Sequence, residues 1–460
     1  MCGVFGIRAP ERDVARVTFF GLFAQQHRGQ ESAGIAVSDG GRLTVLRDMG
    51  LVSQVFDEQK LRGLRGDTAI GHTRYSTTGS SQWANAQPLI QRGRGRTVAL
   101  GHNGNLVNAA DLRAGLGESG VTLATTSDTE VIGALIANDP EPLEDAIANA
   151  MARLDGAFSV VALSEGKLIG FRDKHGFRPL CLGRGGDGEW ILASETCALD
   201  LVGVELEREI APGELVVIGE DGVAARQAVE PAPRGSLCLF EFFYLARPDS
   251  RLAGVEVHGA RVRMGERLAQ EAPVEADLVL PIPDSGTPAA IGFSRATGIP
   301  FSEGLIKNRY VGRTFIQPDQ GLREQGVRLK FNPLDEVAGK RVVAVDDSIV
   351  RGNTTRKIVS MLFEAGAAEV HVRISSPPVI GQCYYGIDFA EEDELIASSR
   401  SVEEVREHIG ATSLAYLSLE GLQESTLRPE SELCRACLTR DYPTEVPREG
   451  AKLRFESAVG

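Results

Sequence analysis

The sequence lacks any long uncharged apolar run. Its best candidate, residues 237–246, is interrupted by Glu241 and is much shorter than the roughly 18 residues that a membrane-spanning helix needs. The first eight residues are likewise too few for the apolar region of a signal peptide. We therefore expect a cytoplasmic protein that does not enter a membrane.

The sequence also lacks an excess of positive charge and a cysteine-rich composition. Its 460 residues carry a net charge of −14, and because nucleic-acid binding requires clustered Lys and Arg, we expect no nucleic-acid partner. Seven cysteines in a chain of this length do not make a disulfide scaffold, so catalytic, metal-binding or buried roles are expected. Glycine, in contrast, is abundant with 52 residues, which favours tight loops and close backbone approaches to ligands.

A segment with two prolines and a glycine, residues 230–235, divides the chain. Before it, short apolar runs that end at turn residues predict strands with few helices, typical of an α+β fold with largely antiparallel sheets. After it, apolar strands alternate with helices, which predicts an α/β fold with a parallel, doubly wound sheet. We thus expect domains at 2–230 and 236–445 and a tail at 446–460.

The first domain carries residues whose chemistry suits an amino-acid amide. Removal of the initiator methionine would give Cys2 a free α-amine, which can accept the thiol proton near neutral pH. Arg74 can clamp a carboxylate, and Asp128 can hold an ammonium group. The side-chain amide of Asn103 and the backbone N–H of Gly104 are the donor pair that an oxyanion hole needs.

These residues lie in segments that resemble the glutaminase domain of the N-terminal-nucleophile amidotransferases. The resemblance rests on residues 2–6, 27–34, 71–76, 101–105 and 127–130. It implies layered antiparallel sheets with helices, Cys2 as the nucleophile, and the remaining residues in the roles just described. It also implies that Arg28 lies in a loop over the site.

The second domain carries loops typical of phosphate and metal binding. One apolar strand ends in Asp346 and Asp347, whose carboxylates can bind ribose hydroxyls and Mg²⁺. The following loop leads to a helix N-terminus, which favours a phosphate group. Lys307 and Arg313 concentrate positive charge in an otherwise acidic chain.

These loops resemble the substrate loops of type I phosphoribosyltransferases, including that family's flexible loop at residues 307–316. The resemblance implies an α/β domain that binds Mg²⁺ with Ser285, Asp346 and Asp347. It implies that phosphoribosyl pyrophosphate is bound by Asp284, Ser285, Gly286, Thr287, Lys307, Arg313, Asp346, Asp347, Ser348, Arg351, Gly352, Asn353 and Thr354.

Together the two halves resemble the glutamine-dependent amidotransferases that act on phosphoribosyl pyrophosphate. The resemblance implies conversion of glutamine and phosphoribosyl pyrophosphate into 5-phosphoribosylamine, pyrophosphate and glutamate, the first committed step of purine synthesis. It further implies a homotetramer inhibited by purine nucleotides. Two alternatives are another N-terminal-nucleophile amidotransferase and a non-catalytic sensor of phosphoribosyl pyrophosphate. The first would need a sugar-isomerase or ATP-pyrophosphatase pattern, which the sequence does not display, and the intact Cys2 site disfavours the second.

Four further cysteines form a potential thiolate site. Cys434 and Cys437 make a C-x-x-C pair that Cys238 and Cys383 could join, and four thiolates suit either structural zinc or an iron–sulfur cluster. The resemblance to the cluster-bearing subclass of the family implies a [4Fe–4S] cluster. That subclass often has a propeptide before the catalytic cysteine, but only the initiator methionine precedes it here, so we expect no propeptide cleavage.

Overall fold

The computed structural model describes residues 2–186, 188–308, 310, 327–388 and 392–447. Most of the predicted C-terminal tail, from residue 448 onward, is outside these ranges. Among the described helices, none combines the length and the apolar character needed to cross a membrane.

Two antiparallel sheets stack face to face in the first half of the chain. One sheet contains, in spatial order, the strands Glu205–Glu209, Cys181–Arg184, Trp190–Ala193, Gly3–Arg8, Thr68–Arg74, Ser32–Asp39 and Arg42–Met49. The other contains Gly222–Gln227, Glu214–Gly219, Lys167–Arg172, Gly156–Ser164, Thr97–Leu106 and Leu89–Arg92. Side chains from both sheets, such as Val4 and Val161, are buried together between them.

Helices cover the outer faces of both sheets. The first sheet packs against the helices Val14–Ala24, Val52–Val55, Glu58–Gly63 and Thr196–Val202. The second packs against Ala109–Glu118, Asp128–Asn138 and Leu143–Arg153. The last of these begins after Pro142 and buries Leu143, Ala146, Ile147, Ala150 and Met151, as their helical spacing predicts.

The second half is built around a parallel sheet. Its strands, in spatial order, are Leu278–Pro281, Arg341–Asp346, Glu369–Ile374 and Ser413–Tyr416. One face packs against the helices Val257–Glu271, Thr287–Thr297 and Leu419–Ser425, and the other against Asn353–Glu364 and Val402–Ile409. Because both faces are covered, the strands Leu278–Pro281 and Arg341–Asp346 are apolar on both sides, whereas Glu369–Ile374 carries His371 and Arg373 on one face. The predicted change from antiparallel to parallel sheets is confirmed.

Short elements complete the second half. They include the strands Leu237–Cys238, Arg251–Leu252, Val255–Glu256, Leu305–Lys307, Phe331–Pro333 and Leu433–Cys434, the π-helix Glu241–Leu245, the 3-10 helices Asp335–Val337, Glu392–Glu394 and Glu430–Glu432, and the helix Ala436–Thr439. The strand Leu237–Cys238 pairs in parallel with Leu433–Cys434, so the end of the chain is tied to the beginning of the second half.

The parallel sheet also places two loops side by side. Pro281 lies opposite Val345 in the parallel register, so the loops that follow these two strands meet at the same edge of the sheet. The approach is close, because a Cβ atom on Gly286 would lie 2.4 Å from the Val345 carbonyl oxygen. Only glycine fits at that position.

Candidate active sites

Cys2 lies immediately before the central strand Gly3–Arg8 and is 7% exposed. Its backbone N donates to Asn103 Oδ1 at 3.2 Å, and its Sγ lies 3.6 Å from the carbonyl oxygen of Tyr75. The backbone nitrogen of Cys2 is therefore held against a strand of the opposite sheet, where Asn103 and Gly104 lie, while the thiol contacts the residue that follows a neighbouring strand of its own sheet.

Asn103 has one side-chain atom engaged and the other unsatisfied. Its Oδ1 accepts from Cys2, while its buried Nδ2 has no hydrogen-bond acceptor among the described residues. A buried donor without an acceptor is costly, so this atom is suited to a substrate oxygen. The next residue, Gly104, has a φ of 151°, and a Cβ atom there would lie 2.0 Å from the Ala157 carbonyl oxygen.

Arg74 lies beside Cys2 because the strand register pairs Gly3 with Thr73. Its buried guanidinium donates to the carbonyl oxygens of Ser80 at 3.0 Å and Thr78 at 3.2 Å. The same guanidinium therefore orders the loop that follows the strand.

Asp128 begins the helix Asp128–Asn138 and accepts a hydrogen bond from Leu106 N at 3.0 Å. Burial alone would raise the pKa of Asp128, but His102, whose Nδ1 lies 3.7 Å away, helps to lower it below its ordinary value. Burial opposes protonation of His102, and Asp128 nevertheless raises the pKa of that ring. Asp128 is thus an ionised carboxylate at neutral pH, as an ammonium holder must be.

The prediction that Arg28 lies in a loop over the site is wrong. Arg28 ends the 3-10 helix Gln26–Arg28, and its side chain is completely buried. Its Nε donates to Cys2 O at 3.1 Å, and its two terminal nitrogens donate to Glu195 and Glu241. Since every guanidinium nitrogen already has an acceptor, Arg28 has no nitrogen left for a substrate. Its contact with the site is the hydrogen bond to the backbone carbonyl oxygen of Cys2.

Asp346 and Asp347 lie at the edge of the parallel sheet, where its second strand ends. Ser285 and Ser348 both donate hydrogen bonds to the Asp347 carboxylate, and Asp347 N donates to Asp346 Oδ1 at 2.9 Å. Burial raises the pKa of both acids, and the charge of Asp347 raises that of Asp346 further. Neighbouring carboxylates that ionise with difficulty are stabilised in the charged form by a divalent cation.

The other predicted ligands of phosphoribosyl pyrophosphate surround this pair to different extents. Lys307 forms an ion pair with Asp284, which brings its strand to the turn before the helix Thr287–Thr297. Arg351 is engaged by Glu394 at 2.6 Å. The remaining described positions open the two helices that follow the loops, namely Gly286, Thr287, Gly352, Asn353 and Thr354. Arg313 lies outside the described residues.

The four predicted cluster cysteines are neighbours. Cys238 and Cys434 face each other across paired strands. Burial raises the pKa of Cys238 to about 11, and burial together with the neighbouring thiols raises the pKa of Cys434 and Cys437. Cys383 contributes to both of these last shifts. In the part of the chain that is described, no three His, Cys, Asp or Glu side chains are arranged to hold a metal ion.

Known families match both halves. A family model described as a glutamine amidotransferase domain matches residues 72–201, and one described as a phosphoribosyl transferase domain matches residues 259–375. The amidophosphoribosyltransferase of Mycobacterium tuberculosis (strain ATCC 25618 / H37Rv) is 54% identical, over 98% of this chain and 88% of its own length. That of Bacillus subtilis (strain 168) is 48% identical, over 100% and 97% respectively.

The chain belongs to the amidophosphoribosyltransferase family.

Solved structures agree with this assignment. Glutamine phosphoribosylpyrophosphate amidotransferase from B. subtilis, complexed with ADP and GMP, matches with a TM-score of 0.91 and 48% identity, covering 98% of this chain and 99% of that chain. A structure described as the allosteric regulatory enzyme of purine biosynthesis matches with a TM-score of 0.92, covering 97% of each chain. The predicted fold class is confirmed. The predicted function, a pentosyltransferase with glutamine amidotransferase activity, is confirmed as well.

Sequence analysis missed two residues that link the amidotransferase site to the second half, Arg178 of the first half and Glu241 of the second. Glu241 is completely buried and binds both Arg28 and Arg178. The sequence held a signal for this contact, because a single charge inside the longest apolar run is typical of a buried ion pair. Arg178, which also donates to Tyr385 O at 2.9 Å, had no such signal because its partners are distant in sequence.

Proposed function

We propose that this chain releases ammonia from glutamine at Cys2 and adds it to C1 of phosphoribosyl pyrophosphate beside Asp346 and Asp347. The products are 5-phosphoribosylamine, pyrophosphate and glutamate, in the first committed step of purine synthesis. The observation that carries this proposal is the Asn103 side chain, whose Oδ1 holds Cys2 N while its Nδ2 remains available to a substrate oxygen.

The first half-reaction uses the two groups of Cys2. Once the initiator methionine is removed, the α-amine accepts the thiol proton, and Sγ attacks the amide carbon of glutamine. The carbonyl oxygen then becomes an oxyanion, which Asn103 Nδ2 and the Gly104 N–H stabilise. The amine returns its proton to the departing nitrogen, and water hydrolyses the thioester to glutamate.

Selection of glutamine depends on two charged side chains. Arg74 binds the α-carboxylate of glutamine, because its guanidinium is positively charged and is fixed beside Cys2 by bonds to two carbonyl oxygens. Asp128, held ionised by His102, binds the α-ammonium group. Together they orient the side-chain amide towards the thiol. Arg28 takes no part in binding and fixes the Cys2 backbone through its bond to Cys2 O.

The second half-reaction takes place at the edge of the parallel sheet. Asp346 and Asp347 bind the ribose hydroxyls and, with Ser285, a Mg²⁺ ion. The mutual repulsion and burial of the two acids favour such a cation. Mg²⁺, when bound, stabilises negative charge on the leaving pyrophosphate. The helix Asn353–Glu364 receives the 5-phosphate at its N-terminus, and the turn 283–287 together with Lys307 receives the pyrophosphate.

The four neighbouring cysteines hold a [4Fe–4S] cluster in our proposal. Four neighbouring thiolates suit either a structural zinc ion or an iron–sulfur cluster, and the resemblance to the cluster-bearing subclass favours the cluster. The positive charge of Arg178 partly offsets the effect of burial on the pKa of Cys238. A positive charge at this position suits a group that is held by negatively charged thiolates. The cluster would tie the end of the chain to the start of the second half.

Several further features of the proposal concern organisation and regulation. We infer domains at 2–230 and 236–445, since the antiparallel strand Gly222–Gln227 is followed by elements that pair only within the second half. Purine nucleotides are the inhibitors we expect, in line with the B. subtilis enzyme complexed with ADP and GMP. A homotetramer in the cytoplasm completes the proposal.

The proposal is tested by separating the two nitrogen sources. Cys2→Ala should abolish formation of 5-phosphoribosylamine from glutamine and retain formation from free ammonia, because Cys2 serves only amide hydrolysis. Both rates are measured with the same phosphoribosyl pyrophosphate and Mg²⁺ concentrations. Loss of the ammonia reaction in a variant with unchanged thermal unfolding would refute the division into two sites.

A further inference from the structure

The backbone around Gly104 is held from two sides. On one side lies the Ala157 carbonyl oxygen, which would be 2.0 Å from any Cβ atom at position 104. On the other side lies Gly386 of the second half, where a Cβ atom would be 3.1 Å from the Cα, C and O atoms of Gly104. The peptide that provides one oxyanion-hole donor is therefore enclosed between a strand of its own half and a loop of the other half.

A hydrogen bond joins the same two segments. Asn105, which follows Gly104, donates from Nδ2 to the carbonyl oxygen of Tyr384 at 3.0 Å. Asn105 Oδ1 accepts from Thr78, in the loop that Arg74 holds. The side chain of Asn105 thus connects the oxyanion strand, the loop after Arg74 and the second half of the chain.

The contacting loop is itself rigidly seated. The Tyr385 ring is 1% exposed and stacks on Phe177 with ring centroids 4.1 Å apart. Its carbonyl oxygen accepts from two nitrogens of Arg178, at 2.9 and 2.6 Å. A loop fixed by buried contacts of this kind can hold a neighbouring peptide to within fractions of an ångström, as a preorganised donor requires.

We propose that residues 384–386 are a positioning element for the oxyanion hole of the amidotransferase half. The loop contacts Gly104 and Asn105, so it acts on the developing oxyanion through Gly104 and the neighbouring Asn103. This inference rests on the proposed function, since it assumes that these two residues stabilise the oxyanion. Its consequence is that the phosphoribosyl half contributes directly to the chemistry of glutamine.

Two variants of the full-length enzyme test the element from its two sides. Gly386→Ala adds a methyl group against the Gly104 backbone at a residue whose φ is 104°. Asn105→Asp removes the donor to Tyr384 and keeps an oxygen for Thr78. Because small displacements of catalytic groups cost up to about 100-fold, each should lower kcat for glutamate release by about 10- to 100-fold. The KM for glutamine and the ammonia-dependent rate should change less than about twofold, since the α-group holders and acceptor site are untouched.

The matched control is Gly410→Ala. Gly410 ends a helix of the second half with a φ of 74°, and no atom lies within 4 Å of a Cβ atom built there. The Gly410→Ala variant therefore introduces comparable backbone strain at a position that does not contact the oxyanion hole. Its kcat for glutamate release should equal that of the wild type.

The outcomes separate this inference from the function on which it rests. If both variants fold and retain the wild-type kcat for glutamate release, or change only the KM for glutamine, the positioning role is refuted. If Gly386→Ala does not fold, Asn105→Asp decides alone. Should Asn103→Asp also retain full glutaminase activity, the oxyanion-hole assignment itself fails, whereas loss in that variant alone refutes only the role of residues 384–386.

Discussion

The oxyanion hole gives a prediction whose magnitude follows from the structure. Asn103 uses Oδ1 to accept from Cys2 N and leaves Nδ2 for the substrate. The variant Asn103→Asp keeps an oxygen for Cys2, removes the donor and adds a negative charge beside the developing oxyanion. Loss of one oxyanion-hole donor costs about 2.7–4 kcal/mol of transition-state stabilisation, so kcat for glutamate release should fall by about 10²- to 10³-fold.

The assay compares two reactions of the same purified variant. Glutamate release reports the amidotransferase site, and 5-phosphoribosylamine formation from free ammonia reports the acceptor site. We expect the first to fall and the second to stay within about twofold of the wild type, with a glutamine KM that changes little because the transition state alone carries the oxyanion.

A matched substitution guards against a general effect of the new charge. Asn108→Asp places the same change five residues further on, where the Asn108 side chain bonds only to the backbone of Arg153 and Asp155. It should leave both reactions unchanged. Glutamate release by Asn103→Asp within about threefold of the wild-type rate would show that Asn103 is not part of the hole.

Three further predictions follow from other contacts. Asp347→Asn should lower 5-phosphoribosylamine formation from both glutamine and ammonia by at least about tenfold, because both use the acceptor site; full ammonia-dependent activity would remove Asp347 from it. Glu241→Gln should lower the free energy of unfolding by about 3–5 kcal/mol in urea titrations, since Arg28 and Arg178 lose a buried counter-charge; a change under about 0.5 kcal/mol would contradict this. Cys434→Ser should lose the roughly four irons per chain expected by elemental analysis, and one zinc with no iron in the wild type would refute the cluster.

The acceptor site was predictable because its residues are local in sequence. Asp346 and Asp347 end an apolar strand, and the loop after them leads directly to a helix, so a single run of residues contains most of the site. The contact of Ser285 with Asp347 joins two such runs, and the rule that ligands lie beyond the carboxyl ends of parallel strands was sufficient to predict it.

For the proposed amidotransferase site, the sequence predicts the residues assigned to attack or bind the substrate but not those that support them. Cys2, Arg74, Asn103 and Asp128 each lie in a recognisable segment, and the structure brings all four to one region. Arg28 lies in such a segment as well, yet the prediction that it lies in a loop over the site was wrong. Its environment depends on Glu241, which is 213 residues away in the sequence, and burial cannot be derived from a local pattern when the covering residue belongs to another domain.

Buried charges connect the second half of the chain to the backbone of Cys2 in the first half. Arg28 bonds to Cys2 O on one side and to Glu241 on the other, while Arg178 joins Glu241 to the Tyr385 backbone. These charges are fully buried, so loss of Glu241 removes a counter-charge from both arginines in a low-dielectric interior and leaves Arg28 with Glu195. The arrangement therefore favours a state in which both halves are assembled before Cys2 is correctly held. Hydrolysis of glutamine by an unassembled first half should be slow for this reason, since Arg28, left with Glu195 as its counter-charge, would lose the bidentate contact with Glu241 that helps to fix it against Cys2 O.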